Sequence, residues 1–156
     1  MLSVIIPTWN TAQTTKKCVQ SLNRYLSRSV KFETIIVDNG STDNSSQVLP
    51  ALANIIYIQN QSNLGFSKAC NIGFHRSKGE YLLFLNSDMV LIDNSMSKMI
   101  KYIKSNPQVG AIGPLFLNPD LSPQPSVFPD QSLTNAIRHF WLGQDTYQKY
   151  LPPTDK

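Results

Sequence analysis

Three short polar clusters hold the side chains best suited to chemistry: Pro7-Thr8-Trp9-Asn10, Asp38-Asn39-Gly40-Ser41 and Asn86-Ser87-Asp88. Asp88 directly follows the apolar run Tyr81 to Leu85, with Asn86 two residues before it. One carboxylate in that setting suits a hard divalent cation that keeps several waters and takes its other oxygens from a phosphate. A turn or helix-capping Asp would look the same in sequence. Asp38 has two readings that stay open: a hydrogen-bond acceptor for the imide or amino edge of a nucleobase, or a cap for the helix that follows. His75 and His139 have no second ligand at helical spacing, so zinc is not expected. Cys18 and Cys70 are far from any CxxC spacing and read as two reduced core thiols. Neither GxGxxG nor GxxxxGK[ST] occurs, which disfavours a standard dinucleotide fold and a P-loop.

The elements that must position these clusters alternate. Leu2 to Pro7 is a short β-branched run ending where the ladder loses a donor, and it reads as a buried strand. From Ala12 to Ser27, Cys18, Val19, Leu22, Tyr25 and Leu26 recur at helical spacing. Phe32 to Val37 reads as a strand, and the turn cluster 38–43 leads to a helix from about Asn44 to Pro50. Ile55 to Ile58 is a third strand; Phe66 to Ser77 is a helix with Phe66, Ala69, Cys70, Gly73 and Phe74 as its apolar face. Tyr81 to Leu85 is so uniformly apolar that it is expected at the centre of its sheet. Asn94 can cap a helix reaching Ser105, with Met96, Met99, Ile100 and Ile103 on one face and Pro107 beyond it. This order predicts an α/β fold with a mostly parallel sheet and helices on both faces. In such sheets ligands collect beyond the carboxyl ends of the strands, where all three polar clusters fall.

After Gly110 the texture changes. Five of the ten prolines lie between residues 113 and 130, so regular structure there is expected to be short. A weak helix from Ser132 to Trp141 and a polar tail containing Leu151-Pro152-Pro153 close the chain.

Length and composition set outer limits. A chain of 156 residues supports one domain. The net charge of +4 is spread over Lys16, Lys17, Arg24, Arg28, Lys98, Lys101 and Lys104, not gathered into a stripe, so nucleic acid is not the expected partner. No apolar run approaches the roughly 20 residues a spanning helix needs. The start of the chain has no basic segment of the kind a signal peptide carries. The expected location is cytoplasmic, with peripheral attachment to the inner face of a membrane left open.

Four motifs taken together resemble the family 2 glycosyltransferases of the GT-A (Rossmann-like) fold: Val4-Ile5-Ile6-Pro7-Thr8-Trp9-Asn10, Ile36-Val37-Asp38-Asn39-Gly40-Ser41-Thr42-Asp43, Asn63-Leu64-Gly65-Phe66-Ser67-Lys68-Ala69-Cys70-Asn71 and Phe84-Leu85-Asn86-Ser87-Asp88. Val109-Gly110-Ala111-Ile112-Gly113-Pro114 looks like the subgroup containing rhamnosyltransferase-like enzymes of surface polysaccharide assembly. The resemblance implies that Pro7, Thr8, Trp9, Asn10, Asp38 and Asn39 hold the nucleoside of a nucleotide-diphospho-sugar donor. It makes Gly65 a substrate-binding residue and Lys68 a contact of the diphosphate, although Lys68 also reads as an ordinary exposed helix lysine. Asn86-Ser87-Asp88 stands where the family carries its DXD motif, with Asp88 as ligand of Mn2+ or Mg2+. Asn86 departs from the first Asp of that motif.

By the same resemblance the reaction is an inverting, metal-assisted transfer to a saccharide or lipid-linked acceptor. The donor half fits residues 1–117, which leaves 118–156 as a partial acceptor region. The later acids Asp93, Asp120, Asp130, Asp145 and Asp155 sit in no motif that identifies a catalytic base. Two other readings compete with transfer by this chain alone: a donor-binding module without a complete acceptor site, and a nucleotidyltransferase on a similar sheet. The second lacks the Gly-rich, basic first loop that a triphosphate needs.

Overall fold

The computed structural model describes residues 1–26, 29–124 and 132–143. Its first compact unit, Met1–Gly110, carries the sheet and all of the apolar core. In chain order its elements are β1 (Leu2–Thr8), α1 (Ala12–Leu26), β2 (Phe32–Asp38), α2 (Ser45–Val48), β3 (Ile55–Gln59), α3 (Phe66–Arg76), β4 (Tyr81–Phe84) and α4 (Ser95–Ser105). The strands form one parallel sheet in the order β3-β2-β1-β4. Parallel neighbours need a crossover, and the alternating helices supply it.

β1 is buried along its whole length, as a strand flanked on both edges and covered on both faces must be. It runs one residue past Pro7: proline lacks the amide, but Thr8 still accepts the Asn39 N–H at 2.9 Å. Alternation along the strands divides the core. Val4, Ile6 and Ile36 pack with Cys18, Val19, Leu22 and Leu26 of α1, Leu49 beyond α2 and Met96 of α4. Ile5, Ile35 and Val37 point the other way and meet Ala69 and Ile72 of α3. Helices therefore cover both faces, as the sequence pattern predicts. α3 comes close because Gly73 has no side chain: a Cβ there would run into the side chain of Ile5.

Three expectations need correction. The helix after the second strand is a single turn, Ser45–Val48, because Pro50 has no N–H with which to continue it. β4 is the edge strand and not a central one, and Leu82 and Phe84 are 36% and 48% exposed. An all-apolar run implies two covered faces, but α3 covers β1 and β2 and leaves the Leu82 and Phe84 side of β4 open. α3 likewise buries Ala69, Cys70 and Gly73 while leaving Phe66 and Phe74 exposed, because its contact with the sheet is narrower than its apolar stripe.

The second unit, Ala111–Lys156, is described only in part. Its regular structure is short, as its prolines require: β5 (Phe116–Leu117) pairs antiparallel with β6 (Pro123–Gln124). α5 (Leu133–Phe140) starts at Ser132, whose hydroxyl accepts the Asn135 N–H at 3.2 Å. The Leu151-Pro152-Pro153 tail, Asp130, Asp145, Asp155 and the side chain of His139 lie outside the described residues. No helix among the described residues is long and apolar enough to cross a membrane.

Candidate functional site

β1, β2 and β4 run parallel, so their carboxyl ends deliver loops 8–11, 38–44 and 85–90 to one edge of the sheet. The first two loops are joined through Asn10, which adopts a left-handed backbone with φ 54°. Asparagine tolerates that conformation because its short amide can bond locally. The Asn10 amide donates to Ser41 Oγ at 2.8 Å, and Asn10 Oδ1 accepts the Thr42 N–H at 2.8 Å. Asp43 then serves two helices, accepting the Ala12 N–H of α1 on Oδ2 at 3.1 Å and the Ser45 N–H of α2 on Oδ1 at 3.0 Å. Burial works against the charged form of Asp43, but hydrogen bonds from Ser45 and Ala12 outweigh it and hold the carboxyl below its ordinary pKa.

Asp38 ends β2 fully buried. Its Oδ1 accepts the Ser41 N–H at 2.8 Å, and its Oδ2 accepts the hydroxyl of Tyr57 on the neighbouring β3. Burial, and then that bond to Asp38, push the Tyr57 phenol above its usual pKa. A carboxylate offers about four acceptor positions, so Asp38 keeps further lone pairs. Asn39 extends the network: its Nδ2 donates to the Gly65 carbonyl at 3.2 Å and its Oδ1 accepts from Asn60 Nδ2 at 2.9 Å. Gly40, at φ 73°, lets the second loop pass against the Ser62 backbone, where a Cβ would come within 2.8 Å.

The third loop rests on α1. Thr11 and Ser87 share a hydrogen bond at 3.2 Å, and the Cys18 thiol lies 3.9 Å from the Asn86 carbonyl. Burial, reinforced by the charge of Asp88, pushes the Cys18 thiol up to about 12. Both cysteines are free thiols, as expected. Asp88 and Asn86 are exposed and Ser87 half-buried. No group of three or more His, Cys, Asp or Glu that could hold a metal ion occurs among the described residues, which therefore provide no complete metal cage. The exposed donors Asp88 and Asn86 are oxygen ligands, which fits Mn2+ or Mg2+ held by one carboxylate with waters and phosphate oxygens completing the shell.

Of the residues singled out by sequence, Pro7, Thr8, Asp38 and Asn39 are buried at the strand ends, whereas Trp9 and Asn10 stand out from the edge, Trp9 with 53% of its surface exposed. Gly65 is joined to the second loop through Asn39, and Lys68 is exposed in the first turn of α3. Sequence reasoning missed Tyr57, Thr11, Thr15 and Asn60. Strand alternation could have put Tyr57 on the Asp38 side of the sheet, but only the β2–β3 register brings the two together.

Comparison with known proteins agrees with this architecture. The family model described as glycosyl transferase family 2 matches residues 3–140. An uncharacterised glycosyltransferase of Haemophilus influenzae is 31% identical over 112 residues, covering 72% of this chain and 37% of the relative. The poly(ribitol-phosphate) β-N-acetylglucosaminyltransferase TarP of Staphylococcus aureus is 31% identical over 109 residues, covering 67% of this chain and 33% of TarP. The crystal structure of S. aureus TarS 1-349 with UDP-GlcNAc superimposes with a TM-score of 0.60 at 26% identity, over 68% of this chain and 32% of that one. The chain thus spans little more than a third of the curated relatives it matches first. The family match runs from β1 through α5 and takes in all three loops at the sheet edge, and on that ground the chain belongs to glycosyl transferase family 2.

Proposed function

We propose that this edge is the donor site of an inverting, metal-assisted glycosyltransferase, and that the chain serves cell-surface polysaccharide synthesis in the cytoplasm. The observation that carries the reading is the joining of all three loops at one edge, through Asn10 to Ser41 and Thr42 and through Thr11 to Ser87. TarS structures with UDP and UDP-GlcNAc show what a similar fold binds.

In this reading the exposed Trp9 ring and the loop beside Asp38 receive the nucleoside, with Asp38 held in place by Ser41 and Tyr57. Asn39 and Gly65 stand beside them at the donor, and Lys68 lies on the approach to the diphosphate, where its ammonium meets the negative charge. Asp88, with Asn86 and Ser87 beside it, would hold Mn2+ or Mg2+. Such a cation, when bound, offsets charge growing on the leaving diphosphate. The acceptor hydroxyl attacks the anomeric carbon and the bond from that carbon to the diphosphate oxygen breaks. The electron pair leaves with the diphosphate, and the hydroxyl proton passes to a general base. The acceptor, a saccharide or a lipid-linked sugar, and the base belong to the part of the reaction that residues 1–117 do not supply.

A second reading is a donor-binding module, favoured by the 37% share of the Haemophilus relative that this chain spans. Both readings predict nucleoside-diphosphate binding that Mn2+ improves; only the first predicts donor hydrolysis or transfer by this chain alone. A thermal-shift panel of nucleoside diphosphates and their sugars, with and without Mn2+, tests the site. The expected result is a rise in melting temperature that Mn2+ enlarges and that Asp88→Ala reduces to the metal-free value. Absence of any shift, or an unchanged Mn2+ effect in Asp88→Ala, would reject the donor site.

A further inference from the structure

The start of α1 carries a chain of hydroxyls, of which the donor-site reading uses only the Thr11–Ser87 link. Thr8 Oγ1 lies 2.8 Å from Thr11 Oγ1 and 2.8 Å from Thr15 Oγ1, and Thr11 Oγ1 lies 3.2 Å from Ser87 Oγ. Thr15 Oγ1 donates to the Thr11 carbonyl at 2.8 Å. A hydroxyl has one proton and a carbonyl has none, so that last bond sets an order for the rest. With Thr15 donating to the carbonyl, Thr8 donates to Thr15, Thr11 to Thr8 and Ser87 to Thr11. Each proton is then used once, and the longer 3.3 Å contact between Thr11 Oγ1 and Thr15 Oγ1 is left without one. Thr8 and Thr15 are buried, which raises the cost of leaving any link unmade. The chain joins Thr8, at the end of β1 where the nucleoside loop begins, to Ser87, which directly precedes Asp88. The two ends are far apart in sequence; the β1–β4 pairing brings their strands side by side as far as the Leu85 N–H on the Ile5 carbonyl, and beyond that point the hydroxyl chain links the loops.

We propose that Thr11 is a positioning residue that couples the nucleoside loop to the Asp88 loop, so that diphosphate and divalent-cation binding reinforce each other through it. The inference rests on the donor-site reading. Thr11 touches neither ligand. It fixes the Ser87 hydroxyl, and with it the backbone that aims Asp88, to the same hydroxyl that anchors Thr8. Cys18, two turns along α1 from Thr11, meets the Asn86 carbonyl and keeps the loop from swinging about the Ser87 contact alone.

The test measures UDP affinity by calorimetry with and without Mn2+ in the wild type, Thr11→Val and Thr11→Ser, together with amide hydrogen exchange at residues 86–89 in the ligand-free protein. Valine keeps the shape and removes the hydroxyl; serine restores the hydroxyl. Thr11→Val is expected to cut the Mn2+ enhancement of UDP affinity by about three- to tenfold, the range set by one hydrogen bond between half-buried groups. Metal-free UDP affinity should change far less, exchange at 86–89 should quicken, and Thr11→Ser should reverse both effects. An unchanged Mn2+ enhancement and unchanged exchange in Thr11→Val would overturn the coupling while leaving the donor site intact. If the wild type binds neither UDP nor any other nucleoside diphosphate of the thermal-shift panel, with or without Mn2+, the donor-site reading falls; the exchange arm then decides whether Thr11 holds the Asp88 loop, quickened exchange supporting the link and unchanged exchange refuting it.

Discussion

Asp38 shows how much of a site residue's role depends on its partners. Its side chain is fully buried at the end of β2, where an unpaired carboxylate would be costly, and it is met there by the Ser41 amide and the Tyr57 hydroxyl. Tyr57→Phe removes one of these and is expected to lower stability by about 1–3 kcal/mol, measured by urea denaturation at pH 7. The alkaline limb gives a second check. The folded-state pKa of Tyr57 lies above its ordinary 10.0, so the associated stability is complete below that value and is lost as pH rises through the folded pKa. Tyr57→Phe should lack that part of the alkaline decline. An equal decline in both proteins would mean that the phenol does not support Asp38. The sequence marked Asp38 as either a nucleobase acceptor or a cap. The structure gives it a capping-type bond to Ser41, which is local and only three residues away, as well as the Tyr57 bond, which could not be read without the strand register.

At the scale of elements, β1, β2, α1 and α4 were legible because each pairs a period with clear stop signals, such as Pro7 and Pro107. β4 and α3 were misread for a shared reason. Sequence shows how apolar an element is but not how far its neighbour extends, so the Phe66 and Phe74 stripe and the Leu82 and Phe84 face were assigned a cover that α3 and the sheet do not give them. Gly73 marks where the α3 contact is closest. Gly73→Ala would improve intrinsic helix propensity, yet the new methyl meets Ile5, and overpacking of that kind typically costs about 1–3 kcal/mol. A lower urea midpoint is the expected outcome, and the double variant Gly73→Ala with Ile5→Val should recover part of the loss. A stabilised Gly73→Ala would show that α3 stands further from β1 than the structure places it. The capping by Asp43 was half visible. Its turn cluster announced a cap for α2, while its bond to Ala12 at the head of α1 depends on a contact across 31 residues.

Across the whole molecule, the compact unit Met1–Gly110 contains every buried apolar residue of both core clusters, and the loops proposed to hold the donor all lie within it. Assignment of donor function to residues 1–117 and acceptor function to 118–156 stays a proposal, since the structural unit marks where the chain packs and not what it binds. The register of the sheet carries one more consequence, and it concerns time. β1 meets β2 by pairing Leu2 with Phe32, but it meets β4 by pairing Leu2 with Tyr81, with three helices and two strands lying between β1 and β4 in the chain. Closing the longer loop costs more chain entropy and is repaid later, so β4 is expected to dock last during refolding. In pulsed hydrogen exchange, the Leu82 to Leu85 amides should gain protection after those of Thr34 to Val37; simultaneous protection would refute that order. Because the loop bearing Asp88 begins where β4 ends, the proposed cation site would be assembled only as that last strand docks, and a newly made molecule would hold β1 and β2 paired for a time before it could bind a divalent cation.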